Sequence, residues 1–386
     1  MSEYQYYEFL AVDRPLTAHE LDQVRSLSTR ARITSTSFVN TYEWGSFRGD
    51  PHRLVANYYD AFLYLANWGT RQLMIRLPAG SLDLATVQRY CDSEAASARK
   101  AGDRIVIDLT DDDEEGEWGW DEDGEGRLAS IIPARADLAD GDLRLLYLAW
   151  LLAVGRHEIE DGEPEPPVPP GLGTLPASLA SLVKFLRIDT DLLAAAAETS
   201  PPLTRSEPPP AELRRWLHGL PTGKKDELLL RVMHDGDVPV RAELRRRFRA
   251  AHPAGAPTDD PADTRTAGQL RKAAGTRWTE RQRVAQQQRA AEQGRQERAE
   301  QAARERRLIQ LAAAPEQAWQ QVTALIETKK PREYDAAVKL LTELAALGER
   351  DGRQPEFAKR VQLLRQAHQR KPSLMDRFDR AGLPTG

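Results

Sequence analysis

Cysteine is almost absent from this sequence of 386 residues, which contains Cys91 alone. One cysteine cannot form a disulfide within the chain, and it cannot supply a zinc site built from several thiolates. A disulfide-stapled secreted fold is therefore excluded, and a reducing compartment fits. A lone cysteine is more often a small buried apolar residue than a nucleophile, and we expect this for Cys91.

Long apolar runs are also lacking. The most apolar stretch, Leu143 to Val154, has twelve residues and contains Arg144, so it is too short to span a bilayer. The first residues, MSEYQYYEFLAVDR, have no basic region followed by an apolar one, which disfavours a signal peptide. We expect a cytoplasmic protein without membrane association, in which residues 143–154 form a buried helix.

Local motifs for nucleotide binding and hydrolysis are missing. In PTGKKDELL, His218 and Lys225 occupy the positions where a P-loop has glycine and Ser or Thr. In GSFRG, residues 45–49, the serine stands second instead of third, which excludes a nucleophile elbow. The seven histidines are dispersed, and none lies in an H-E-x-x-H motif. We expect no cofactor, no metal ion and no catalytic residues.

The charge balance is mildly acidic, with a net charge of −5 and a pI of about 5.9. This disfavours a uniformly basic nucleic-acid binder. Lysine is sparse, and arginine supplies most of the positive charge. Arginine suits planar recognition of phosphate or carboxylate, but GC-rich bacterial coding explains its abundance as well, and we favour that explanation.

The first 159 residues alternate between strand and helix patterns. Strand patterns cover 4–12, 37–44, 72–78 and 104–109. A capping box at Thr17 to Glu20 and the Asp50-Pro51 pair predict helix starts. We expect the second helix to continue to Gly69 through an apolar face made of Leu54, Val55, Tyr58, Phe62 and Leu65. The pattern predicts an α+β domain with a mixed or antiparallel sheet, for which a ferredoxin-like arrangement is one option.

An acidic stretch, DDDEEGEWGWDEDGEG, interrupts this domain at residues 111–126. Because both flanks have strand patterns, we expect a hairpin over 108–127. Its spacing does not match a calcium-binding EF-hand. A solvated hairpin tip is the favoured interpretation, and a docking loop, a divalent-ion site and a nucleic-acid mimic stay open. The residues that would contact a partner are Trp118, Trp120, Asp121, Glu122 and Asp123.

Proline-rich segments divide the rest of the chain. We expect a linker at 160–176, short helices over 177–252 with a break at 200–210, and a second linker at 253–268. An arginine-rich helix is expected over residues 241–251, and it could contact phosphates through Arg245, Arg246, Arg247 and Arg249. A solvated arginine face is favoured over that function.

Residues 269–386 are expected to form a long polar helix and a stack of short helical hairpins. The long helix lacks a sustained apolar heptad, which disfavours a stable coiled-coil homodimer. Four later stretches each carry an apolar stripe at helical spacing. The stripe residues include Trp319, Val322, Ile326, Tyr334, Leu341, Leu344, Phe357, Val361, Leu374 and Phe378.

The tail, with YDAAVKLLTELAALGE followed by RKPSLMDRFDRAGL, resembles the helical tails of bacterial SWIM zinc-finger proteins over about residues 330–383. That resemblance implies a helical fold for the tail. A SWIM finger needs three cysteines and a histidine, so this chain contains no such finger. Residues 6–47 also resemble bacterial proteins, and that resemblance implies no activity. We transfer no functional residues.

One strand pattern combines groups suited to a small ligand. Asn40, Tyr42 and Trp44 alternate along it, and Arg48 follows in a glycine-containing turn before a helix start. A polar strand with core aromatics is the favoured alternative. We expect a non-enzymatic adaptor or scaffold that binds a protein partner through its helices and the acidic hairpin. A nucleic-acid-associated protein and an enzyme with a site near 40–48 are the rival hypotheses.

Overall fold

The computed structural model describes residues 4–112, 124–203, 210–235 and 264–385, together with residues 244, 247, 248 and 251. The chain divides into a unit of residues 1–281 and a unit of residues 282–386. The first unit contains a sheet with helices and the second is helical, which confirms the predicted α+β domain followed by helical modules. No helix among the described residues is both long and apolar enough to cross a membrane.

Among the described residues of the first unit, seven strands form one sheet. They are β1 (Gln5–Leu10), β2 (Arg32–Ile33), β3 (Ser37–Tyr42), β4 (Ala61–Ala66), β5 (Thr70–Pro78), β6 (Ala96–Ala101) and β7 (Arg104–Asp112). Their order is β2-β3-β1-β4-β5-β7-β6, and every neighbouring pair is antiparallel. Of the mixed and antiparallel sheets that the sequence left open, the antiparallel one is therefore the correct one.

Helices pack on both faces of this sheet. The helices for which the structure gives bounds in the first unit are α1 (Ala18–Arg25), α2 (Pro51–Asn57), α3 (Leu84–Gln88), α4 (Arg127–Ile131), α5 (Pro133–Ala139), α6 (Arg144–Gly155), α7 (Ala177–Phe185), α8 (Thr190–Ala197), α9 (Pro210–Gly219) and α10 (Thr222–Asp235). The helix α11 (Ala267–Ala313) has residues in both units. In β4, Leu63 faces the larger core, which α6 fills, and Phe62 faces the smaller core under α1 and α2.

Burial on both faces explains the one strand that the sequence pattern misassigned to a helix. The prediction of a single helix from Asp50 to Gly69 is wrong, because α2 ends at Asn57 and β4 begins at Ala61. A strand that is buried on both faces has a continuous run of apolar residues in the sequence. The periodicity of such a run does not distinguish the strand from a segment of a buried helix.

Most of the expected hairpin over 108–127 lies outside the described residues, but the strand pattern expected after it differs from the structure. Residues 127–131 form α4, and β7 pairs with β5 and β6. Gly126 has a φ of 77°, which lets the chain turn directly into this helix. Leu128 and Ile131 then share one buried helix face at i,i+3 spacing.

The expected linker at 160–176 packs into the first unit. Glu165 N–H donates to the carbonyl of Arg265 at 2.8 Å, and Tyr90 Oη donates to the carbonyl of Pro167 at 2.8 Å. Leu172 is buried in the larger core. The segment is therefore held by groups that are distant in sequence, which composition does not reveal.

The helix α6 is the predicted buried helix, and its arginine is buried with it. Arg144 Nη2 lies 2.6 Å from Asp142 Oδ2, and Arg144 Nη1 donates to the carbonyl of Gly171. A buried charge is stable only when it is paired and hydrogen-bonded, and these contacts meet that requirement. Cys91 is buried as expected, and burial raises the pKa of its thiol to about 12.

The second unit packs its own core. After the long helix come α12 (Pro315–Glu327), α13 (Pro331–Arg350), α14 (Gln354–His368) and α15 (Pro372–Arg380), which confirms the four predicted amphipathic helices. Val322, Ile326, Leu341, Val361 and Phe378 are fully buried in this core, which the end of α11 also joins. The apolar stripes of these helices therefore face one another.

The capping box at α1 gives a first testable prediction, which concerns pH. Arg14 donates to both carboxylate oxygens of Glu20, at 2.8 and 2.6 Å, and with Thr17 it lowers the pKa of Glu20 to about 2. A lowered pKa stabilises the fold above the ordinary value of about 4.3, and this contribution is lost as the pH falls toward 2. We expect Arg14→Gln to raise the pKa of Glu20 in an NMR titration. Arg25→Gln is the control and should leave it unchanged, and an unmoved pKa in Arg14→Gln would contradict the assignment.

Candidate functional site

The four residues predicted for a small ligand lie in two different environments. Asn40 is buried and donates from Nδ2 to Ser28 Oγ at 3.1 Å. Tyr42 packs edge-on against Tyr7, with ring centroids 5.7 Å apart. Trp44 and Arg48 are exposed in the turn after β3. The structure thus brings Asn40 and Tyr42 into the smaller core and leaves the other two outside it.

A row of buried polar groups holds that turn in place. Gln5 Oε1 accepts hydrogen bonds from Tyr7 Oη at 2.8 Å and from Tyr64 Oη at 3.1 Å. Gln5 Nε2 donates to the carbonyl of Gly45 at 2.8 Å. Burial raises the pKa of both tyrosines above their ordinary value. These hydroxyls therefore stay protonated near neutral pH and act as hydrogen-bond donors.

Trp44 is the most prominent ring on this surface. It is 65% exposed, and the Arg30 guanidinium lies over it, 4.5 Å from the ring centroid. A cation stacked on an exposed ring contributes about 0.5–1 kcal/mol. The ring is thus held in place while its other surface faces solvent.

A cluster of charged side chains that the sequence did not predict lies between α2 and the edge of the sheet. His52 Nδ1 is 3.4 Å from Asp108 Oδ2, and Arg99 Nη2 is 3.1 Å from the same nitrogen. Gln72 Nε2 donates to Asp108 Oδ1 at 2.8 Å. Burial raises the pKa of Asp108, and the Gln72 hydrogen bond and the charges of His52 and Arg99 oppose that increase.

The two contacts of His52 require different protonation of Nδ1. Arginine only donates, so its contact needs the Nδ1 lone pair, whereas a hydrogen bond to Asp108 needs a proton on Nδ1. The cluster joins α2 to strands β6 and β7 in either case. His52 and Arg99 are 47 residues apart in the chain, and Gln72 and Asp108 are 36 apart, so no local motif could reveal the cluster.

The other predicted binding residues lie largely outside the described part of the chain. These are Trp118, Trp120, Asp121, Glu122 and Asp123 of the acidic stretch, and Arg245, Arg246 and Arg249 of the basic one. Arg247 is described and is partly buried. Its neighbour Phe248 packs edge-on against Trp216, 5.5 Å between ring centroids. Within the described ranges, no group of three His, Cys, Asp or Glu side chains could hold a metal ion.

Exposed apolar side chains gather on α10. Leu229, Leu230 and Met233 are 62, 57 and 82% exposed, whereas the neighbouring Leu228 is buried. At 100° per residue, the three exposed side chains fall within an arc of about 100°. Leu217 of α9 is also exposed. The helix therefore uses one side for packing and presents a second apolar side to solvent.

Comparisons with protein-family models, with curated proteins and with solved structures give no match for this chain. The arguments about function therefore rest on the contacts and surfaces described above. Two kinds of surface stand out: the clusters within the first unit, whose polar groups bond to one another, and the apolar side of α10, which faces solvent.

Proposed function

We propose that this protein is an adaptor of the cytoplasm that binds a protein partner through the apolar side of α10. The observation that carries the proposal is the exposure of Leu229, Leu230 and Met233 on one arc of that helix. Single exposed apolar residues are common on protein surfaces, but a contiguous group is typical of an interaction surface.

Burial in a partner would remove these side chains from water. The gain is about 25 cal/mol per Å² of apolar surface, so three large side chains can supply several kcal/mol. Anchors at i and i+4, here Leu229 and Met233, are the pattern by which a helix fits the apolar groove of another protein. Methionine also adapts its shape to the surface it meets. The partner's site would accordingly be an apolar groove.

Elsewhere in the first unit, the sheet and its helices contain polar clusters. Their polar groups are engaged with each other, as in the Gln5 row and in the ion pairs around Asp60. The proposal therefore assigns recognition to a helix and stability to the sheet.

The proposal predicts that polar substitutions on α10 abolish capture of the partner. In affinity purification from the native cell, Leu229→Gln, Leu230→Gln and Met233→Gln together should reduce one or more specific partners at least tenfold. The matched control is Trp278→Gln, Val284→Gln and Ile309→Gln, which changes three exposed apolar residues of α11. It should retain those partners.

Both triple variants should keep the thermal stability of the parent chain, because all six side chains are exposed. The proposal fails if every partner is lost equally in the two variants, or if none depends on α10. A partner lost only in the α11 variant would move the binding surface to that helix.

A further inference from the structure

Two helix junctions of the second unit lie side by side. Lys371, which precedes α15, donates from Nζ to the carbonyl of Ile326 at 3.2 Å, at the end of α12. The junction between α12 and α13 therefore adjoins the junction between α14 and α15. The bundle has one end where two loops meet.

This end, which we call the basic end, carries five cationic side chains. Its members are Lys329, Lys330, Arg332, Arg370 and Lys371. The first four are exposed, and none of these four has a carboxylate within 4 Å in the part of the chain that the structure describes.

Seven arginines of the second unit, by contrast, pair with neighbouring carboxylates. Arg360 pairs with Glu316 at 2.7 Å, and Arg377 pairs with Asp335 at 2.6 Å. The same holds for Arg307, Arg350, Arg353, Arg365 and Arg380. Other exposed cations without such a partner, for example Arg289 and Lys339, stand singly along the helices, whereas at the basic end they are grouped at 329, 330 and 332 and at 370.

Two further features add positive potential at this end. The helices α13 and α15 both begin here with proline, and neither has a side-chain cap at its N-terminus. The positive ends of their dipoles therefore add to the charge of the lysines that precede them. Within two residues of these five cations in the chain, the carboxylates are Glu327 and Glu333, so residues 327–333 and 370–371 together carry a net charge of +3.

His368 lies within this potential. Burial lowers the pKa of its imidazole, and the positive charge of Lys371 lowers the pKa further, while Glu327 opposes the change. The lowered pKa is the change expected for an imidazole that is partly buried beside an excess of positive charge.

We propose that the basic end binds an acidic segment of a protein partner, that is, a short run of Asp and Glu side chains. Lysine ammonium groups and helix N-termini are suited to carboxylates. The cluster is short, and the helices beside it carry paired carboxylates. A long polyanion such as nucleic acid would extend beyond the cluster and meet those carboxylates, whereas a run of a few acidic residues matches the cluster in length. This surface involves other residues than α10, so the two proposals stand or fall separately.

The test uses the full chain and two labelled probes of similar charge, a peptide of ten glutamates and a single-stranded oligothymidylate with ten phosphates. Fluorescence anisotropy at low salt should show binding of the peptide that weakens as salt increases. In the variant Lys329→Gln, Lys330→Gln, Arg332→Gln and Arg370→Gln, we expect the peptide to bind at least tenfold more weakly. Lys371 stays in place because it bonds the end of α12.

The matched control changes four other cations of the second unit, Arg289→Gln, Arg298→Gln, Lys339→Gln and Lys359→Gln, which alters the net charge by the same amount. It should lose no more than about twofold in affinity if location, and not total charge, decides binding. Circular dichroism should be unchanged in both variants, since the substituted side chains are exposed. Equal losses in the two variants would overturn the proposal. Tighter binding of the oligothymidylate would also overturn it and would assign the surface to nucleic acid.

Discussion

Asp60→Asn should lower the free energy of unfolding by about 3–5 kcal/mol, the range for breaking a buried ion pair by removing one partner. Asp60 is almost fully buried at the start of β4. Its Oδ1 accepts from Arg76 Nη2 at 2.7 Å, and its Oδ2 accepts from the backbone N–H of Val12 at 2.7 Å. The variant would leave the buried Arg76 guanidinium without its carboxylate.

A second buried arginine depends on the same network. Arg135 Nη2 lies 3.7 Å from Asp60 Oδ1 and 2.9 Å from Asp13 Oδ2, and Arg135 Nε donates to the carbonyl of Arg76. The network thus joins β4, β5, α5 and the loop after β1. Its loss would affect several elements, which is why the expected effect is large.

The sign of the pH dependence follows from the pKa of Asp60. Burial alone would raise the pKa, but Arg76, the N–H of Asp13 and Arg135 hold it below the ordinary value. The stabilisation is therefore present above about pH 4 and is lost as the pH falls through the folded-state pKa. We expect the difference between wild type and Asp60→Asn to shrink in acid.

Urea unfolding at several pH values measures this difference. Asp22→Asn is the control, because Asp22 forms an exposed ion pair with Arg25. This substitution should lower the free energy of unfolding by less than about 1 kcal/mol. If Asp60→Asn lowers the free energy of unfolding by less than about 1 kcal/mol, the prediction is wrong. The buried arginines would then be stabilised without the Asp60 carboxylate.

Glu165→Gln should have a comparable effect, about 3–5 kcal/mol, in a different part of the first unit. The Glu165 carboxylate is buried and accepts from Arg265 Nη2 at 2.7 Å and from Arg265 Nε at 2.8 Å. It also accepts from Tyr147 Oη, and burial together with the negative charge of Glu165 raises the pKa of that tyrosine. The variant would leave an arginine with no carboxylate partner inside the protein.

This contact also holds the proline-rich segment 160–176 against the start of α11. We therefore expect wild type to resist thermolysin at Leu172 and Leu175, and Glu165→Gln to be cut there more rapidly. Glu198→Gln is the control, since Glu198 pairs with Arg277 at an exposed position. Rapid cleavage of wild type at these leucines would show that the packed segment opens readily, and it would contradict the prediction.

Several elements could be predicted because their cause is local. Thr17 and Glu20 form the expected capping box, and Asp50 caps α2 at the expected position. Capping depends on side chains within one turn of the helix start, so a short sequence window contains all the groups involved. The stripes of α12 to α15 are local in the same sense, since their period alone defines the apolar face.

Other elements could not be predicted because their partners are distant in the chain. Proline content suggested that 160–176 is extended, yet Arg265, Tyr90 and Ser200 hold it in place. The same limit applies to the candidate sites. The alternation of Asn40 and Tyr42 predicted that they share a face, but only the neighbouring strands decided that this face is a core.

The sequence by itself determined the capped helix starts of α1 and α2, the helical tail and the α+β class, and it predicted that Cys91 is buried. These features could be predicted because propensity, capping and periodicity act over a few residues. The tertiary structure alone decided the strand order, the identity of β4, the packing of 160–176 and the grouping of five cations at one end of the bundle. Each of these depends on contacts between residues far apart in sequence, and their free energy is gained only when the chain has folded.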